Sequence, residues 1–199
     1  NYLLGAFFMR NSILPALSVV DWRSKLHKNY KAFEKGFDED FDWDETMRER
    51  LTQGIEMKRF HLVGEASAIA CVSLSPEGVS VTDPQLKTVV YFLGNLNICY
   101  ASFSVYLDDM MSVAQEGVKC RFIFWHYPGV LNSFGIPKKP VDLVRCGLSV
   151  VQHVMNEGAR AENLILKGNS IGGYVATHVA YCCPRMNLWV KLRNARSFC

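Results

Sequence analysis

Ser170 and its neighbours carry the clearest chemical pattern in the chain. A short apolar run, Leu164-Ile165-Leu166, leads through Lys167 into Gly168-Asn169-Ser170-Ile171-Gly172-Gly173, and an apolar segment of helical period follows. Glycines two residues to either side of a serine suit a sharp turn between a buried strand and a helix. Residues without Cβ let the two elements approach closely there. A serine held in such a turn can act as a nucleophile on a carbonyl carbon. The free N–H groups and dipole of the helix N-terminus would then stabilise the developing oxyanion. Two other readings fit less well. A turn that only packs does not require the Gly-x-Ser-x-Gly-Gly spacing. A phosphate loop requires a Gly-Lys-Ser/Thr ending or a Gly-x-Gly-x-x-Gly spacing, and this stretch has neither.

A serine hydroxyl needs a base, usually a histidine held by a carboxylate. After Ser170 the chain contains one histidine, His178, and after Glu162 it contains no Asp or Glu. His178 is eight residues along the expected helix. That is about 12 Å of axial rise, beyond hydrogen-bond reach. His153 falls off the apolar stripe of its helix and is expected at the surface. His27 and His61 lie far upstream. Asp108, Asp109 and Asp142 read as helix-surface or capping residues. His126 follows a strand, at the edge of a sheet where ligands bind. It would line the pocket, with a core or loop histidine as the plainer alternative.

The elements that must position these residues begin with a change of pattern near Arg59. Residues 1–57 read as a helical N-terminal region, with surface helices over Ser18–Phe33 and Asp44–Met57. Residues 58–199 read as one α/β domain. Strands are expected at Arg59–Val63, Ala68–Leu74, Thr88–Leu93, Val118–Trp125, Asn163–Leu166 and Leu188–Leu192. Ser75-Pro76-Glu77-Gly78 reads as a turn. Helices are expected over Ala101–Glu116, Pro140–Glu157 and Ile171–Cys183. Pro140 lies in the first turn of the second, whose apolar stripe runs through Val141, Val144, Leu148, Val151 and Met155. The alternation predicts an α/β fold: a mainly parallel sheet of roughly six strands with helices on both faces.

Composition narrows the function classes. At 49% apolar and 21% charged residues, the 199-residue chain can bury a core, and a formal charge of +3 gives no argument for nucleic acid. Seven cysteines, odd in number and without Cys-x-x-Cys, point to buried thiols in a reducing, cytoplasmic-type compartment. No metal or organic cofactor is implied. Asn1–Val20 is apolar but broken by Arg10, Asn11 and Pro15. It does not read as a transmembrane span or a signal peptide, and it leaves membrane attachment as a further reading.

Taken together, residues 85–192 resemble the α/β-hydrolase fold. Val89-Val90-Tyr91-Phe92-Leu93-Gly94-Asn95 resembles the His-Gly-Asn segment that ends the third strand in one group of these enzymes, with Leu93 in place of the His. Phe124-Trp125-His126-Tyr127-Pro128-Gly129-Val130 resembles the loop after the fourth strand, near the active-site mouth. The resemblance implies that Ser170 is the nucleophile and that the Asn95 and Ile171 backbone N–H groups form the oxyanion hole. It places Gly94, His126 and Tyr127 around the substrate. In the family's strand order His126 sits two strands from Ser170, roughly 9–10 Å away. The implied activity is hydrolysis of a carboxylic ester, thioester or amide, as in lipase-like and peptidase-like serine hydrolases, with a small-molecule or acyl-lipid substrate. A looser similarity is to hydrolase-like effectors of intracellular bacteria, which would place the protein in a host cytosol. In this family the acid and histidine follow the serine. Their absence leaves two expectations: a chain cut short after the sixth strand, which is preferred, or a non-catalytic binding or scaffolding relative.

Overall fold

The computed structural model describes residues 54–63, 67–94, 112–113, 115–130 and 133–191. Asn95, the Asn1–Val20 segment, the two expected N-terminal helices up to residue 53 and most of the expected Ala101–Glu116 helix lie outside them. Six strands form one sheet: β1 (Ile55–Val63), β2 (Ala68–Pro76), β3 (Lys87–Phe92), β4 (Cys120–Trp125), β5 (Leu164–Asn169) and β6 (Asn187–Lys191). Two α-helices are described from end to end, α1 (Pro140–Asn156) and α2 (Ile171–Cys182), with a short 3-10 turn at Ala161–Asn163. The strand order is β1-β2-β4-β3-β5-β6. Pairing is parallel through β4-β3-β5-β6 and antiparallel at β1-β2 and β2-β4, so the sheet is mixed at one side.

The central strands follow from their composition. Thr88 to Phe92 and all of β4 are buried, as continuous apolar runs covered on both faces must be. Alternate side chains enter two cores. Val90, Phe92, Ile123, Trp125, Leu164 and Leu166 face α1 and α2. Val89, Tyr91, Leu93, Phe122 and Phe124 face the other way, where Val113 packs against them. β1 alternates half-buried and exposed positions over Ile55–Arg59. Ile55–Met57 is therefore strand, not the end of a helix from Asp44, and β1 reaches back across the boundary expected at residue 57. Its period of two decides this: Glu56 and Lys58 face solvent while Ile55 and Met57 pack on the second core.

α1 begins at Pro140, where Asp142 caps the turn by accepting the Lys138 and Lys139 amides at 2.8 and 2.9 Å. Its buried face runs through Leu143, Val144, Gly147, Val150, Val151 and Val154. That face is rotated from the expected stripe, and Val141 is exposed. The reason is close packing at Gly147. A Cβ there would lie 2.7 Å from Phe92 Cε1 and 3.0 Å from Val179 Cγ2, so α1 seats its smallest residue against α2 and the end of β3.

Candidate functional site

The chain passes from β3 outward to β4, then returns past β3 to β5, so strand order reverses at β3. In open α/β sheets the carboxyl ends of strands at such a reversal form the ligand crevice. Gly94 follows β3, His126 follows β4 and Ser170 follows β5. The topology therefore brings these three residues to one edge, and β4 lies two strands from β5 as the sequence implied.

Ser170 connects β5 to α2 with φ 55° and ψ −123°, the only non-glycine residue at positive φ among those described. Such a conformation costs about 1–3 kcal/mol in an L-residue and persists only where its surroundings impose it. They do so through two glycines. A Cβ on Gly168 would stand 2.6 Å from the Gly172 carbonyl oxygen and 2.7 Å from Gly173 Cα. A Cβ on Gly172 would meet the Phe92 carbonyl oxygen at 1.9 Å and that of Leu93 at 2.6 Å. The first turn of α2 thus lies directly on the backbone that leaves β3, and only glycine fits at the contact. The Gly173 amide donates to the Ser170 carbonyl at 2.9 Å, closing the first turn. The Ser170 side chain makes no capping bond to the helix, and the residue is half-buried. Ile171, at the first helical position, is buried with its amide in the turn whose N–H groups lack intrahelical partners.

The loop after β4 is built more tightly than the sequence suggests. The His126 amide donates to the Ala70 carbonyl at 3.1 Å, and the His126 carbonyl accepts the Ser133 hydroxyl at 2.8 Å. Ser133 Oγ also accepts the Ala70 amide at 2.9 Å. His126 is 2% exposed, and burial lowers its pKa to about 4, so its ring is neutral at pH 7. Tyr127 is buried as well, and its hydroxyl donates to the Leu93 carbonyl at 3.0 Å. Neither side chain is open to solvent.

The other described histidines stand elsewhere, and His27 lies outside the described residues. His178 is exposed on α2 with Nδ1 2.9 Å from the Tyr174 carbonyl. His153 lies against Phe60, ring centroids 4.7 Å apart, with Nε2 3.6 Å from Glu157. His61 is exposed on β1. Among the described residues no group of three or more His, Cys, Asp or Glu is placed to hold a metal ion. No described helix is long and apolar enough to cross a membrane. Cys71, Cys120 and Cys146 are buried free thiols, whereas Cys182 is exposed.

No protein-family model matches this sequence, and no curated protein matches it. Solved structures do. An enantioselective mutant of an epoxide hydrolase from Aspergillus niger matches with TM-score 0.53 at 15% identity, over 98% of this chain and 51% of its own. An α/β serine hydrolase without a lid from Xanthomonas campestris matches with TM-score 0.52 at 17% identity, over 68% of this chain and 60% of its own. Juvenile hormone epoxide hydrolase from the silkworm Bombyx mori matches with TM-score 0.53 at 11% identity, over 83% of this chain and 42% of its own. This chain therefore spans about half the length of the structures it is similar to. At these identities the likeness shows the architecture, and that architecture is the α/β-hydrolase fold.

Proposed function

We propose that this fold carries a serine hydrolase of carboxylic esters, thioesters or amides, with Ser170 as nucleophile. The observation that supports it most is the backbone of Ser170: a strained positive φ, enforced by two glycine contacts, at the strand edge where ligands bind. A turn that served only for packing would place glycine there and avoid the cost. In this reading Ser170 Oγ attacks the carbonyl carbon while a base takes its proton. The Asn95 and Ile171 amides donate to the oxyanion, the leaving group departs, and water then cleaves the acyl-enzyme. Gly94 borders the crevice, and the buried His126 and Tyr127 shape it from beneath. The substrate class is a small molecule or an acyl lipid.

The second reading is a hydrolase-like binding or scaffolding module without turnover. A fluorophosphonate probe separates the two. The protein expressed from its whole reading frame is expected to label at one serine, and Ser170→Ala is expected to abolish the label. Absence of labelling in the unsubstituted protein would leave the binding module.

A further inference from the structure

The Tyr127 hydroxyl is bonded to a backbone atom at a sensitive place. Its acceptor, the Leu93 carbonyl, begins the peptide that joins Leu93 to Gly94. That peptide is planar, so an oxygen held toward Tyr127 sends the Gly94 N–H the opposite way. The same stretch of β3 backbone is touched from another direction by Gly172, whose missing Cβ would fall 1.9 Å from the Phe92 oxygen and 2.6 Å from the Leu93 oxygen.

The donor itself is held firmly. The Val130 amide bonds the Tyr127 carbonyl at 3.0 Å, and the adjoining His126 backbone is tied to Ala70 and Ser133. The Tyr127 ring packs edge-on against Trp125 with centroids 4.8 Å apart, and Trp125 packs edge-on against Phe92 at 5.5 Å. Burial pushes the phenol pKa up, so the hydroxyl keeps the proton it donates.

We infer that Tyr127 is a positioning residue: through the Leu93 carbonyl its hydroxyl sets the backbone leaving β3 against the first turn of α2, and so sets the Leu93–Gly94 peptide relative to Ser170 and the Ile171 amide. This rests on the hydrolase reading for its chemical consequence, but the backbone restraint does not.

The test substitutes Tyr127→Phe, which keeps the ring and removes one donor, and compares it with Val154→Ala. Val154 is fully buried on α1, away from this edge. Hydrogen exchange followed by mass spectrometry reads the restraint. Exchange across residues 92–94 is expected to speed up about tenfold or more in Tyr127→Phe and not in Val154→Ala. Fluorophosphonate capture reads the consequence. The maximal inactivation rate is expected to fall about tenfold with unchanged probe affinity, less than the roughly 10²–10³ that follows complete loss of an oxyanion donor. Unchanged exchange at 92–94, or equal effects of the two variants, would overturn the inference. Faster exchange in a protein that never labels would uphold the restraint and sink the hydrolase reading instead.

Discussion

At the scale of single residues, Ser170 bears a conformational cost that the proposed nucleophile role would account for. Its φ of 55° is the conformation an L-residue avoids, and the contacts at Gly168 and Gly172 leave it no alternative. Two substitutions separate strain from chemistry. Ser170→Ala and Ser170→Gly both remove the hydroxyl, and only glycine relieves the backbone. Ser170 is the N-cap of α2, and at an ordinary N-cap glycine already exceeds alanine by about 1 kcal/mol. Relief of the positive φ adds to that, so Ser170→Gly is expected to exceed Ser170→Ala by about 2 kcal/mol or more in urea unfolding. A gap no larger than the ordinary cap preference would show that the turn is not strained. The serine was legible in the sequence because the Gly-x-Ser-x-Gly-Gly spacing is local, although the Phe92 and Leu93 oxygens that require Gly172 belong to a distant segment. The Tyr127 bond was not, because its acceptor lies 34 residues away and no spacing rule connects the two.

At the scale of elements, the sequence reading succeeded where burial is two-sided and drifted where one face is decided by a small residue. Runs such as Thr88–Leu93 and Phe122–Trp125 announce central strands because nearly every position is apolar. α1 is different. Counting apolar side chains selects Val141, Val144, Leu148, Val151 and Met155, yet the helix turns its Gly147 side inward. A hydropathy pattern gives glycine little weight, while packing against α2 prizes its lack of a Cβ. Gly147→Ala tests this. Helix propensity favours alanine by about 1 kcal/mol. Against that, the new Cβ would stand 2.7 Å from Phe92 Cε1, and Phe92 is itself held edge-on by Trp125. Overpacking of this kind costs about 1–3 kcal/mol. The variant is therefore expected to be less stable by about 1 kcal/mol in denaturant unfolding. A gain in stability would mean that the Phe92 ring can yield.

At the scale of the whole molecule, buried polar groups tie distant parts of the sheet together. Arg121, within the apolar run of β4, is 2% exposed; it donates to Ser73 Oγ at 2.8 Å and to Glu157 at 2.7 Å, joining β4, β2 and the end of α1. A lone arginine in a run such as Cys120–Trp125 was the signal for this link. Its partners were not legible, since they come from two other elements. His126 makes the comparable connection at the other end of β4 and gives stability a pH dependence. Its folded pKa, about 4, lies below the ordinary value of 6.5. Above pH 6.5 both folded and unfolded chains hold the neutral ring, and the group contributes no penalty. As pH falls from 6.5 toward 4, the unfolded chain takes up a proton that the folded chain refuses, so stability declines. Below about pH 4 the folded ring titrates too and the loss levels off. A folded pKa of about 4 against an ordinary 6.5 makes the full loss about 3 kcal/mol. Carboxylates titrate in the same window, so the measurement is a difference: unfolding free energy against pH for the protein and for His126→Gln. The gap between the two curves is expected to change by about 3 kcal/mol between about pH 7 and pH 4, the histidine protein losing more on acidification. Parallel curves would mean that the folded protein admits the proton at His126.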